Sequence, residues 1–375
     1  MHIGIWYTPA LRQRAGIGRY TRGIVSALAK LDSPHRYTLV VSSDSPLANL
    51  PPFPDNFTVK TLPFSERWLT ILWHRANLPL WIDRWAGKFD LFHSPDFVLP
   101  PLASAPGLLT VHDLSFMKHP DGALPKLRDW LLRVVPKSVS RAAHVLADSE
   151  STGRDLQELL HVPAEKISVV GAGVEPRFYP VTDESVRAAV RRKYNLPENF
   201  VLGVGTLEPR KNFTGLIAAF NQIAADAPEL HLVIAGGKGW LYEPIFAAAG
   251  ASPARERIHL IGFVADEDLP ALYSMARVFA YPSFYEGFGI PILEAMACGT
   301  PVITADNSSL PEVGGDPVLL VDAEDTDTLA QTILLVHTTD HFRERCVPKG
   351  IERAAEFTWE RAAQKLLAVY ERIGE

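Results

Sequence analysis

Two glutamates, Glu286 and Glu294, frame the segment Tyr281-Pro-Ser-Phe-Tyr-Glu-Gly-Phe-Gly-Ile-Pro-Ile-Leu-Glu-Ala-Met-Ala-Cys-Gly-Thr-Pro301. An ionised carboxylate accepts hydrogen bonds from hydroxyls. Glu286 suits the hydroxyls of a sugar, and Glu294, about one turn into a following helix, suits a vicinal pair such as those of ribose. A basic pair lies in Leu207-Glu-Pro-Arg-Lys-Asn212. Arg210 can clamp phosphate with two parallel N–H donors, and Lys211 adds a point charge. Together they can neutralise a departing diphosphate as its charge develops. His112 and Asp113 fall in Leu109-Thr-Val-His-Asp-Leu-Ser-Phe116, where the imidazole can hydrogen-bond a sugar hydroxyl. His93, in Phe92-His-Ser-Pro-Asp96, has the same place on another strand. A lone histidine at 112 can equally be structural, and at 93 a structural role is the stronger expectation.

The surrounding residues say how these groups are held. Pro291 suits the first turn of a helix, Gly299 its left-handed stop, and Pro301 prevents continuation. A helix is therefore expected over 290–298, with Glu286, Gly287, Phe288 and Gly289 as the loop at its N-terminus. Glycines allow close backbone approach, and the helix start favours an anion such as a diphosphate. Near the chain start, Ala15-Gly-Ile-Gly-Arg-Tyr20 opens another helix. It has two glycines, Gly16 and Gly18, of the dinucleotide fingerprint. Thr21 replaces the third, and a long stretch separates the motif from its strand. A nicotinamide cofactor is thereby discounted; close approach to a phosphate or acceptor is not.

Apolar β-rich runs alternate with amphipathic ones along the whole chain. Strands are expected at 2–8, 37–43, 57–63, 91–94, 107–112, 144–148 and 167–171, then at 200–206, 231–236, 258–264, 277–282, 301–305 and 317–321. Helical patterns include 17–30 and 124–140. Several runs (VLGVG, LVIAG, VLLV) are apolar throughout, which suits parallel strands covered on both faces. The fold class is α/β, with two doubly wound Rossmann-like domains facing each other across a cleft. The expected division is an acceptor-side domain over 1–174, a linker over 175–199, a donor domain over 200–355, and a C-terminal helix over 356–375 packing back on the first domain.

Bulk properties narrow the function. The 375 residues carry a formal charge of −6, so no basic face invites nucleic acid. Two cysteines, Cys298 and Cys346, build no disulfide framework, and no Cys/His cluster has metal-ligand spacing. The start reads as a strand and not a signal peptide, and no window reaches membrane-spanning length. A cytoplasmic protein is expected.

These motifs resemble the retaining GT-B glycosyltransferases of family 4, which include bacterial α-mannosyltransferases and relatives of sucrose synthase. The likeness covers nearly the whole chain. EGFGIPILE matches the family's Glu-x7-Glu motif, GTLEPRKN its phosphate-binding motif, VHDLSF its first-domain histidine motif and GIGRYT its N-terminal glycine loop. The resemblance implies that Arg210 and Lys211 hold the donor diphosphate, with Gly16, Gly18, Gly205 and Thr206 also on the donor. It implies that Glu286 contacts the transferred sugar, Glu294 the ribose, and His112 the sugar near the reaction centre. Backbone amides of Phe288, Gly289 and Ile290 would contact sugar and phosphate, and Gly262, Phe263 and Val264 would line the base pocket. It further implies retention at the anomeric carbon and no metal or other cofactor. GTLEPRKN together with Gly236-Gly-Lys-Gly-Trp-Leu-Tyr242 looks most like users of GDP-mannose, with UDP-sugars the alternative.

The acceptor is expected to be a saccharide or lipid-linked saccharide. The stretch 64–90 carries Trp68, Trp73, Trp81 and Trp85 among Arg and His, and 125–141 is a second basic, apolar stretch with Trp130. Such segments can lie on a membrane surface, or simply pack as helices with a basic outer face. A glycoside hydrolase using both glutamates needs its carboxyls roughly 5–9.5 Å apart, whereas eight residues of helix separate them by about 12 Å. A GT-B nucleotide-sugar epimerase and a non-catalytic nucleotide-sugar-binding protein share the fold and stay open at this point. A phosphorylase using pyridoxal phosphate lacks a compelling lysine.

Overall fold

The computed structural model describes residues 1–13, 16–74, 78 and 80–374. They form two compact units. The first comprises residues 1–114, 126–173 and 358–375, and the second 115–125 and 174–357.

In the first unit the strands are β1 (His2–Trp6), β2 (Arg36–Val41), β3 (Phe57–Thr61), β4 (Leu91–Ser94), β5 (Gly107–Val111), β6 (His144–Ala147) and β7 (Ile167–Val169). They form a parallel sheet in the order β3-β2-β1-β4-β5-β6-β7. The second unit holds β8 (Asn199–Val204), β9 (Leu230–Ala235), β10 (Ile258–Gly262), β11 (Val278–Tyr281), β12 (Val302–Ala305) and β13 (Leu319–Val321). Their order, β10-β9-β8-β11-β12-β13, is again parallel. Both are doubly wound sheets whose order reverses beside the first strand of each unit, between β1 and β4 and between β8 and β11. Ligands bind outside the carboxyl ends of strands at such a reversal.

The apolar runs account for the layering. All residues of β5, β6, β11 and β12 are buried, as expected of parallel strands with helices on both faces. The edge strand β3 exposes every residue after Phe57. The helix Phe213–Ile223 buries Phe213, Leu216, Ile217 and Phe220, and it starts where the Asn212 side chain accepts the Gly215 amide at 3.1 Å.

The stretch 175–199 differs from a linker: it belongs to the second unit and carries the helix Glu184–Tyr194. That helix buries only Val190, so its composition hides it. Its anchors are polar: Lys193 Nζ and Tyr194 Oη donate to Asp268 at 2.6 and 2.8 Å. Residues 115–125 also belong to the second unit, although the chain on either side lies in the first. Trp240 Nε1 donates to the Gly122 carbonyl at 2.7 Å, and His119 stacks near Phe284. The last helix, Trp359–Gly374, belongs to the first unit, where the Trp359 indole lies so close to Gly23 that a Cβ there would clash.

Candidate functional site

At the sheet reversal of the second unit, the loops after β8 and β11 meet. Pro209–Lys211 form a short 3-10 turn, which sets Arg210 and Lys211 just beyond the tip of β8. The loop after β11 brings Glu286 between them. Arg210 Nη1 donates to Glu286 Oε2 at 2.7 Å, and Lys211 Nζ to Glu286 Oε1 at 2.6 Å. Arg210 also donates to the Tyr285 carbonyl at 2.6 Å and to Glu208 Oε1 at 2.8 Å. Lys211 completes its fixing with the Tyr281 hydroxyl at 2.7 Å. Glu208, Lys211 and Glu286 are all buried. Burial alone would raise the Glu286 pKa, but the adjoining Arg210 and Lys211 charges hold it down at about 2. Glu286 is therefore a fixed carboxylate at neutral pH.

The carboxylate loop is tied on both sides. The Phe284 amide donates to the Arg210 carbonyl at 2.9 Å. The Glu286 amide donates to Ser308 Oγ at 2.9 Å, and Ser309 Oγ donates to the carbonyls of Glu286 and Phe288 at 2.9 and 2.8 Å. Gly289 ends the loop with φ of 107°, a left-handed conformation that favours glycine, and the helix Ile290–Ala297 starts there. Gly287 and Phe288 are buried, and the Phe288 ring meets Phe357 edge-on. Glu294 lies inside the helix, buried, and accepts the Tyr273 hydroxyl at 2.9 Å.

The adjacent strand ends are nearly bare backbone. The Gly205 amide donates to the Ala235 carbonyl at 3.0 Å, and the Gly236 amide to the Gly262 carbonyl at 2.8 Å. A Cβ on Gly236 would collide with the Gly205 carbonyl. Thr206 lies against Gly239, Val264 is buried, and the Phe263 side chain stands 60% exposed at the end of β10.

His112 belongs to the first unit, where it follows β5 directly. Its Nδ1 lies 2.7 Å from Asp148 Oδ2 and its Nε2 3.3 Å from the Pro95 carbonyl oxygen. Burial would lower its pKa, but Asp148, aided by Asp96 and the Pro95 carbonyl, raises it to about 9. His93 has a structural role instead. Both its ring nitrogens are engaged, with the Tyr370 hydroxyl at 2.7 Å and Thr110 Oγ1 at 2.8 Å. Burial, with some help from the His112 charge, drops its pKa to about 3, so it is a neutral core histidine. Gly16 directly precedes the helix Ile17–Leu28, while Gly18 makes room for the Gln13 and Pro9 carbonyls. Ala15 of that motif lies outside the described residues.

Of the aromatic stretch 64–90, residues 75–77 and 79 also lie outside the described residues. Trp73 packs inward, edge-on to Trp6, while Trp68 and Trp85 are exposed. Sequence reasoning left Glu208, Tyr281, Ser308, Ser309 and Asp148 without a role. Glu208 and Asp148 both sit at strand tips beside candidate residues, and that position was the available signal. Among the described residues, no group of three or more His, Cys, Asp or Glu is placed to hold a metal ion.

Residues 14–178 match the family model described as glycosyltransferase family 4, and residues 186–353 the model described as glycosyl transferases group 1. The chain is 33% identical over 285 residues to O-antigen chain mannosyltransferase B of Escherichia coli, across 76% of this chain and 74% of that protein. It is 26% identical over 253 residues to serotype-specific mannosyltransferase WbdA of Escherichia coli, across 66% of this chain but only 31% of that longer protein. Among solved structures, sucrose-phosphate synthase from Thermosynechococcus elongatus has a similar fold, with a TM-score of 0.77 at 23% identity over 100% of this chain and 99% of that one.

Proposed function

This chain belongs to glycosyltransferase family 4 and has the GT-B fold, and on that premise we propose that it moves mannose from GDP-mannose to a saccharide or lipid-linked saccharide in cell-surface polysaccharide or glycolipid synthesis. Family membership makes it a retaining, nucleotide-sugar-dependent hexosyltransferase that needs no cofactor beyond its donor. The choice of mannose rests on the names of two of its relatives, O-antigen chain mannosyltransferase B and mannosyltransferase WbdA.

The observation that carries the site assignment is the Glu286 carboxylate bridging Arg210 and Lys211 at the sheet reversal. As the bond from sugar to diphosphate lengthens, the sugar becomes oxocarbenium-like and the departing phosphate gains negative charge. Arg210, Lys211 and the opening turn of the helix Ile290–Ala297 stabilise that charge. The departing phosphate oxygen takes the proton of the acceptor hydroxyl on the same face, so no carboxylate nucleophile is needed. Glu286, with its pKa near 2, is no proton donor at neutral pH. It accepts hydrogen bonds from the sugar hydroxyls. Glu294 accepts those of the ribose, and His112 hydrogen-bonds the sugar. The bare strand ends at Gly205, Gly236 and Gly262 let the nucleotide approach the backbone, with Phe263 and Val264 beside the base.

A thermal-shift panel of GDP-mannose, UDP-glucose and ADP-glucose tests the donor. A ligand at a hundred times its Kd stabilises by about 2.7 kcal/mol, so GDP-mannose should raise the melting temperature most. A larger rise with UDP-glucose overturns the donor assignment while leaving the reaction class intact.

The proposed place of action is the cytoplasmic face of a membrane, by peripheral contact. In the first unit Trp68 and Trp85 are 57% and 48% exposed, and Leu132 is exposed on the basic helix Pro125–Arg141. Basic segments with outward Trp and Leu suit an anionic interface. Among the described residues no helix is long and apolar enough to cross a membrane. The protein should co-sediment with anionic vesicles more than a control of equal charge does; equal sedimentation removes this part of the proposal.

A further inference from the structure

Parallel pairing decides which side chains meet at the tips of neighbouring strands. β5 and β6 pair through Val111 and Ala147, so the next residue on each, His112 and Asp148, emerge side by side. Their separation of 2.7 Å follows from this register. The elements after them hold the arrangement. Ser149 caps the helix Glu150–Leu160 by accepting the Thr152 amide at 3.0 Å, and Thr152 Oγ1 donates back to the His112 carbonyl at 3.3 Å. Tyr20 and Phe97 wall the imidazole edge-on, with ring centroids 4.9 and 5.7 Å away.

Hydrogen-bond logic then sets the state of the ring. Nδ1 faces a carboxylate and Nε2 faces a backbone carbonyl. Neither partner has a proton to give when the carboxylate is ionised, so both nitrogens must donate. Only the imidazolium does that. The other titratable groups facing the pair are Asp96 toward His112, Asp113 toward Asp148, and Tyr20 and His93 beside the ring. His93 is neutral, so His112 is a cation held by one hydrogen-bonded counter-ion.

We propose that Asp148 is a positioning residue for glycosyl transfer: its carboxylate fixes the His112 ring and keeps it doubly protonated, so that the Nε2 proton, which rests on the Pro95 carbonyl at the long distance of 3.3 Å in the free chain, turns to the sugar as a charge-assisted donor. This rests on the reading that His112 serves the reaction. A cationic donor makes roughly twice as strong a hydrogen bond as a neutral one. Loss of the proton from Nε2 would turn the donor into an acceptor, with Nδ1–H still on Asp148.

The test compares the full-length protein with its Asp148→Asn and Asp148→Glu variants. Transfer is followed from pH 6 to 10, and the His112 ring is titrated by NMR, assigned by its loss in His112→Gln. In the parent the ring should titrate near 9, and kcat should hold up to that pH. In Asp148→Asn the ring should titrate at or below the ordinary histidine value of about 6.5. The ratio of parent to variant kcat should then grow from about twofold at pH 6 to roughly tenfold at pH 8.5, because the new amide can donate to Nδ1 and leave a neutral, weaker Nε2–H donor in place of the cation. Asp148→Glu should restore most of the parent profile. A purely structural Asp148 would instead lower kcat by one factor at every pH, and that result overturns the proposal. A ring that moves while the kcat ratio stays flat, with His112→Gln still active, shows that the reading of His112 failed. Should Asp148→Asn not fold, the parent titration decides alone: a midpoint near 6.5 overturns the proposal.

Discussion

In the second unit a carboxylate, Glu286, lies between two cations; in the first a cation, His112, lies against a carboxylate, Asp148. Both pairs are buried at strand tips, yet they are assembled differently. The Glu286 cluster is tied by backbone carbonyls and serine hydroxyls from three loops. The His112 pair is set by the register of two adjacent strands and held by the helix cap that follows the second of them. The lesson is in what each can tolerate. With Glu286 gone, Arg210 and Lys211 face each other with Glu208 left beside Arg210. With His112 gone, Asp148 can take up a proton and become neutral. The cation cluster has a partial escape, because Lys211, whose pKa burial and the Arg210 charge already lower, can shed its proton, but the arginine stays charged.

The largest expected effect therefore lies in the second unit. Glu286→Ala should lower transfer by about 10²–10³-fold, the scale of losing a group aligned with developing charge. It should also lower stability by about 3–5 kcal/mol, as breaking one side of a buried ion pair does. Donor binding should largely persist, because the diphosphate itself supplies the missing negative charge. His112→Gln should cost clearly less stability. Steady-state kinetics and thermal melting with and without donor read both quantities. Transfer within tenfold of the parent, or a larger loss of stability in His112→Gln, breaks the contrast drawn between the two sites.

Much of the second site was legible because punctuation residues surround it. Pro291, Gly299 and Pro301 bracket one helix, and the apolar run ending at Val204 places Arg210 and Lys211 beyond a strand tip. The partners of those residues were not legible. Nothing in the spacing of Glu208 or Tyr281 says that they turn toward Arg210 and Lys211, and Ser308 and Ser309 reach Glu286 only through the folding of another loop. Asp148 stayed unassigned because its meeting with His112 depends on strand order and register together. His93 shows the opposite failure. Its place at a strand tip was readable, but Tyr370 arrives from the far end of the chain and Thr110 from the next strand to occupy its ring. The helix Glu184–Tyr194 was hidden by its own composition, since it buries one residue and binds through Lys193 and Tyr194.

The smaller and finer test uses pH, because the two pairs lose their contribution in opposite windows. Glu286 has its pKa depressed to about 2 in the folded chain, against about 4.3 for an unfolded glutamate. Its contribution is complete above pH 4.3 or so and disappears as pH falls toward 2. His112 is raised to about 9 from an unfolded value of about 6.5. Its contribution is complete below that value and disappears as pH rises toward 9. Each shift corresponds to about 3 kcal/mol. On the acid side His93 acts with Glu286: its folded pKa of about 3 means that it opposes unfolding less and less as pH drops below about 6.5. The alkaline arm is cleaner above about pH 7.5, where His93 is neutral in both the folded and the unfolded chain and the raised pKa of His112 is still to be crossed. Thermal midpoints measured from pH 7.5 to 9, above the range where His93 and His144 lose their unfolded-state protons, should fall in the parent by a few degrees. Asp148→Asn, starting from a lower midpoint, should show a flat profile over the same range. A parent midpoint that stays level to pH 9 would mean that His112 is neutral in the folded chain, and the opposition between the two sites would reduce to a difference in charge at one of them.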